Sequence, residues 1–157
     1  MKQSVKILFL VVVLALPVAI FTFLRFFGDN KFDVPVMYEQ GAQVGSCDTI
    51  TYPFTVADSL APGQGIEIVI VPQRAALTNV LVRLQDVFGK RVDYHESAPG
   101  NEHVRTCGFL LEGDRQLVLL DEQNRVRGQY GADLDEVDRL IVETKILLEN
   151  NAREKAE

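Results

Sequence analysis

From Ile7 to Leu24 the chain runs through eighteen residues without one charged side chain, and no other feature constrains its fold as much. A helix of that length covers about 27 Å at 1.5 Å per residue, close to the hydrocarbon thickness of a bilayer. Phe26 and Phe27 extend the apolar stretch beyond Arg25, whose long side chain can snorkel to the headgroups. Pro17 is compatible with such a segment, since proline is more frequent in membrane helices than in soluble ones. The rival is a cleaved signal peptide, which has a shorter apolar stretch and ends at a small-residue cleavage site. Here the segment ends in Phe23-Leu24-Arg25-Phe26-Phe27, and no lipobox cysteine follows. The expectation is an uncleaved single transmembrane helix. Lys2, Lys6 and the α-amino group precede it and Arg25 and Lys31 follow, a small bias toward a cytoplasmic N-terminus and an exported domain.

The charge is unevenly placed. The first 28 residues hold three basic side chains and no acid, so residues 29–157 hold 13 Lys or Arg against 22 Asp or Glu. A domain so acidic repels nucleic acid and anionic headgroups but is compatible with basic protein partners such as small electron carriers. Solubility alone also accounts for the charge. The 129 residues beyond the apolar run suffice for one domain. Two Cys and two His exclude zinc sites of four or three thiolates, leaving at most one set of two thiolates and two imidazoles.

Pattern then divides the chain into an anchor over 1–28, a polar linker over 29–46, an α/β domain over 47–150 and a charged tail over 151–157. Thr49–Val56, rich in β-branched and aromatic residues, reads as a strand that Pro53 confines to an edge or bulge. Asp58–Gly65 is a turn, and the nearly all-apolar Ile66–Val71 is a strand buried on both faces. Ala76, Leu77, Val80, Leu81, Leu84, Val87 and Phe88 recur at helical spacing over Ala75–Phe88, and Gly89 stops the helix. Arg91–His95 reads as a short strand, and Thr106–Leu111 is apolar enough for strand or helix. Gln116–Leu120 and Arg125–Tyr130 form a hairpin across Asp121-Glu122-Gln123-Asn124. Asp133 or Asp135 caps a last helix, with Val137, Leu140, Ile141, Thr144, Leu147 and Leu148 on one stripe and Asn150 at its end. A βαβ unit followed by ββα is the plan of a thioredoxin-like sandwich, a central sheet with helices on both faces.

The stretch Leu117-Val-Leu-Leu-Asp121-Glu-Gln-Asn-Arg125-Val-Arg127-Gly128-Gln-Tyr130, followed by Asp135-Glu136-Val137-Asp138-Arg139-Leu140-Ile141 and Lys145-Ile146-Leu147-Leu148, resembles the C-terminal end of the Sco/SenC family. The resemblance covers Gln116–Leu148, about a fifth of the chain, and Asp48-Thr49-Ile50 with Pro53-Phe54 adds a weaker likeness. It implies a membrane-anchored thioredoxin-fold protein concerned with assembly of the dinuclear copper centre of cytochrome c oxidase. That family holds copper with a Cys-x-x-x-Cys after its first core strand and a His before its final hairpin, a donor set suited to Cu(I). Here Ile66–Val71 is followed by Pro72-Gln-Arg-Ala-Ala-Leu-Thr, and the position expected for the His falls near Gly113. An alternative alignment puts Ile66–Gly89 on a later strand–helix unit and deletes the cysteine-bearing one. Either way all three ligands are missing.

The remaining chemistry is sparse. Cys47 and Cys107 leave three readings open: a structural disulfide closing a long loop, two unpaired thiols, or a redox or metal pair with His103. His95 in Asp93-Tyr94-His95-Glu96 and His103 after Glu102 lack the i, i+4 partner of a helical metal motif and read as exposed loop histidines. Asp133, Asp135, Glu136 and Asp138 sit where acids favour a helix start, without the spacing of a calcium loop. Gly63-x-Gly65 precedes a strand and is too short to cradle phosphate.

The expected protein is therefore non-catalytic and Sco-like, with no metal, no cofactor and no small-molecule substrate. It sits in the bacterial inner membrane by a single pass, its C-terminal domain in the periplasm. It acts by protein contact with a respiratory membrane complex, as an assembly helper or an accessory subunit. An exported thiol–disulfide or copper-handling protein using Cys47 and Cys107 is the alternative, and a purely structural subunit is a third reading.

Overall fold

The computed structural model describes residues 3–27, 32–41, 47, 50–73, 77–97 and 101–156. In chain order its elements are α1 (Gln3–Phe27), β1 (Glu67–Ile70), α2 (Thr78–Phe88), β2 (Asp93–Glu96), a π-helical turn (Val104–Gly108), β3 (Leu117–Leu120), β4 (Val126–Tyr130) and α3 (Leu134–Glu154). They divide into two units, Met1–Phe32 and Asp33–Glu157.

The apolar run at Ile66–Val71 becomes a central strand because both of its faces find apolar cover. All four residues of β1 are buried. The sheet order is β2-β1-β3-β4, with β1 and β2 parallel and the other two pairings antiparallel. Side chains alternate between faces along a strand. Ile68, Ile70, Leu117, Leu119 and Tyr130 meet Leu84 and Phe88 of α2 and Val137, Leu140, Ile141 and Leu147 of α3. Val69, Val71, Val118, Leu120 and Val126 meet Phe54, Val56, Ala61, Phe109, Leu110 and Leu111. Helices were expected on both faces, but α2 and α3 share one. Among the described residues the other is covered by segments without a regular α-helix, around a π-helical turn of five residues.

The helix ends follow from local chemistry. Gly89 stops α2 at φ 58°, where a Cβ would be strained, and its N–H bonds to Gln85 O. Asp133 caps α3, its Oδ1 accepting the N–H of Glu136 at 3.1 Å. α3 runs past the expected end at Asn150 to Glu154. Asparagine costs a helix interior only about 0.7 kcal/mol, and Lys155 beyond the end pairs with Glu122 at 2.6 Å.

Two further expectations are corrected. Thr49–Val56 does not form a strand in its described part. Thr55 makes an isolated bridge to Arg125, and the segment is held by Phe54 N–H to Tyr38 O and Val56 N–H to Asn124 O. Pro53 has no N–H with which to continue a ladder; residues 48–49 lie outside the described residues. The linker drawn over 29–46 is in part core. Val34 is buried, Met37 and Tyr38 pack on the second cluster, and Met37 N–H donates to Val126 O at 2.8 Å.

In α1 the apolar side chains from Phe9 to Phe23 are half or more exposed. Among the described residues no helix is long and apolar enough to cross a membrane.

Candidate functional site

At the C-terminal end of β1 the side chains are built for hydrogen bonding. Arg105 projects from the π-helical turn and is 3% exposed. Its guanidinium donates to Val71 O at 3.0 Å, Arg115 O at 3.0 Å and Gly113 O at 3.2 Å. Its Nε makes no hydrogen bond and lies 3.5 Å from Glu102 Oε2. Gln73 completes the junction: its N–H donates to Gln116 Oε1 and its Nε2 to Gly113 O, both at 3.1 Å. Gly113 thus serves as a carbonyl acceptor for two side chains. Residues 74–76 lie outside the described residues.

Cys47 and Cys107 are joined in a disulfide, with Cα atoms 5.7 Å apart across a sequence separation of 60. The bridge ties Cys47 to the same π-helical turn that carries Arg105. Both thiols being used, neither offers a thiolate beside His103, which is exposed at the start of the turn. Among the described residues no three His, Cys, Asp or Glu side chains group to hold a metal ion.

The opposite end of β1 carries an open cleft of about 470 Å³ that pattern reading passed over. Glu67, Asp93 and His95 line it, with Pro62, Gly63 and Gln64 as its rim. Parallel register pairs Glu67 with Asp93 and Val69 with His95, which puts the two carboxylates and the imidazole on one face. Glu67 is 1% exposed, and its Oε2 accepts the N–H of Gly63 at 3.0 Å. A Cβ at Gly63 would stand 2.7 Å from Glu67 Oε2 and 3.2 Å from Asp93 Oδ2, so a side chain there would push on both carboxylates. Burial pushes the Glu67 carboxyl above the usual range and the Asp93 charge adds to this, while the Gly63 N–H and His95 pull it back. The signal in the sequence was a lone acid inside an apolar run.

The residues that carry the family resemblance build the hairpin. Asp121, nearly fully buried, accepts from Gln123 N–H, Arg125 N–H, Arg125 Nε and Arg127 Nε at 2.8–3.0 Å. Burial alone would raise its carboxyl, but those donors outweigh burial and hold it below the usual range. Leu119 pairs with Gly128 and Leu120 with Val126, so Arg127 is the extra residue of a β-bulge. The bulge aims Arg127 at Asp121 and at Val34 O, fastening the supposed linker. Tyr130 lies across Gly128, where a Cβ would overlap its hydroxyl, and donates to Glu143 Oε2 at 2.6 Å. Arg139 stands 4.8 Å over its ring. Of the other acids at the helix start, Asp138 pairs with Arg83 and Glu136 with Arg139.

Comparison with family models, with curated proteins and with solved structures gives no match to this chain.

Proposed function

We propose that this chain is a membrane-tethered protein with a thioredoxin-like domain that acts by protein contact and not as an enzyme. Its plan is that of the Sco/SenC proteins without their copper ligands. Its context is respiratory: an assembly helper for cytochrome c oxidase, or an accessory subunit of such a complex, on the periplasmic side of a bacterial inner membrane. The anchor is α1, supported by the uncharged run Ile7–Leu24 and the exposed apolar side chains between Phe9 and Phe23. The thioredoxin-like plan is supported by the strand order β2-β1-β3-β4, with β3 antiparallel to its neighbours.

One observation carries the ligand-free reading. Around the end of β1, Gln73 and Arg105 both donate to the Gly113 carbonyl, and Arg105 also to that of Val71, where a thiol pair and an imidazole would be needed. A buried guanidinium repels a copper ion and fills the space beside β1.

Purification of the native protein from membranes in mild detergent tests the proposal. The expected result is co-purification with haem–copper oxidase subunits identified by mass spectrometry. Recovery of the chain without any respiratory subunit, or from the aqueous fraction, contradicts it.

A further inference from the structure

We infer that the open edge of β2 is a docking site for an extended, basic segment of a partner protein, which adds to the sheet as a fifth strand. The inference goes beyond the proposed function and holds whether or not the partner is respiratory.

The backbone makes the first half of the case. Asp93 N–H donates to Ile66 O at 2.9 Å and Ser97 N–H to Ile70 O at 2.9 Å. In a parallel ladder, alternate residues turn their amide groups to the same neighbour. The register Glu67–Asp93 to Ile70–Glu96 therefore assigns the groups of Asp93 and His95 to β1 and turns those of Tyr94 and Glu96 outward. Among the described residues no strand pairs with that outer edge. Two N–H and two C=O groups stand ready for an incoming strand.

Charge makes the second half. Asp93 and Glu96 are exposed at the two ends of β2, and the cleft holding Glu67 and Asp93 opens beside it. A strand laid along this edge sends alternate side chains toward that cleft. A lysine or arginine at such a position meets two carboxylates, one of them buried and accepting the Gly63 N–H. A second copy of this chain is a poor occupant. Its β2 would bring a second Asp93 and a second Glu96 to an edge that is already acidic, and like charges gathered there repel.

The test uses the isotope-labelled full-length chain in zwitterionic detergent, with two synthetic seven-residue probes, one alternating Val with Lys and the other Val with Glu. The Lys peptide is expected to shift the amide signals of Tyr94 and Glu96 saturably, slow their hydrogen exchange and weaken as salt rises. The Glu peptide is expected to do none of this. Glu96→Pro removes one outward N–H that β1 does not use and should weaken the Lys peptide about fivefold, the worth of one hydrogen bond. Glu96→Lys keeps that N–H and should weaken it through charge alone, with the amide signals of β1 unmoved in both variants. Equal effects from the two peptides, no effect from either, or undiminished binding to Glu96→Pro would overturn the inference. So would concentration-dependent shifts at Tyr94 and Glu96 without peptide, which mean self-pairing.

Discussion

Replacing Arg105 by Met removes the guanidinium and keeps most of the stem volume, so the result isolates the hydrogen bonds at the end of β1. Three carbonyls lose a charged donor: Val71, Gly113 and Arg115. They are not equivalent. Val71 is 1% exposed, so its carbonyl is stranded without water, at about 1–3 kcal/mol. Gly113 is exposed and Arg115 half-buried, so their carbonyls rehydrate and each loses only about 1 kcal/mol. The sum is about 3–5 kcal/mol, a large part of the stability of a domain this size. Arg105→Lys, a point charge that can serve one carbonyl well, should lose roughly half as much. The assay is urea unfolding of the full-length chain in detergent, followed by far-ultraviolet circular dichroism at constant m-value. A loss below about 1 kcal/mol for Arg105→Met would refute the view that this guanidinium holds the end of β1, the π-helical turn and the Gly113–Gln116 loop together.

Opening the Cys47–Cys107 bridge, which closes a loop of 60 residues, should cost about 4 kcal/mol in the chain-entropy model; thermal melts with and without dithiothreitol, against the double Ser variant, measure it. Glu67 has a raised carboxyl, so the folded state keeps a proton that the unfolded chain has already released. Its contribution is full below the ordinary glutamate value and falls as pH rises through the folded value, and Glu67→Gln should flatten that decline in denaturant midpoints measured from pH 4 to 8. Asp121 has the opposite sign: its stabilisation is present above the ordinary aspartate value and is lost as pH falls through the depressed folded value. Asp121→Asn should therefore cost about 2–3 kcal/mol at pH 7, keep most of that cost at pH 4, and lose it only in a series carried down through the depressed folded value.

Local chemistry was legible where it acts at short range. The apolar run at Ile66–Val71, the stripe through Val137, Leu140, Ile141, Thr144 and Leu147, the stop at Gly89 and the turn after Asp121 are all set by neighbours within a few residues. What escaped depends on partners far along the chain. The π-helical turn is held by an arginine whose Val71 acceptor lies 34 residues away, and apolar content alone could not choose its conformation. The burial of Val34 depends on Arg127, separated from it by 93 residues, and so a polar-looking linker turned out to be part of the domain. Thr49–Val56 has strand composition, but β4 offers it one isolated bridge at Arg125 and no ladder. In the cleft, Glu67 was visible as an acid in an apolar strand, yet its meaning required the Asp93 register and the Gly63 approach, which only the fold supplies.

Copper content tests the central claim most directly. The purified full-length protein is loaded with Cu(I), passed through gel filtration and assayed by mass spectrometry of the metal. The account predicts that copper is not retained in stoichiometric amount, because Gln73 and Arg105 are hydrogen-bonded to backbone carbonyls at the end of β1 and both cysteines are bridged. One copper per chain, retained through gel filtration and lost in Cys47→Ser or Cys107→Ser, would contradict it.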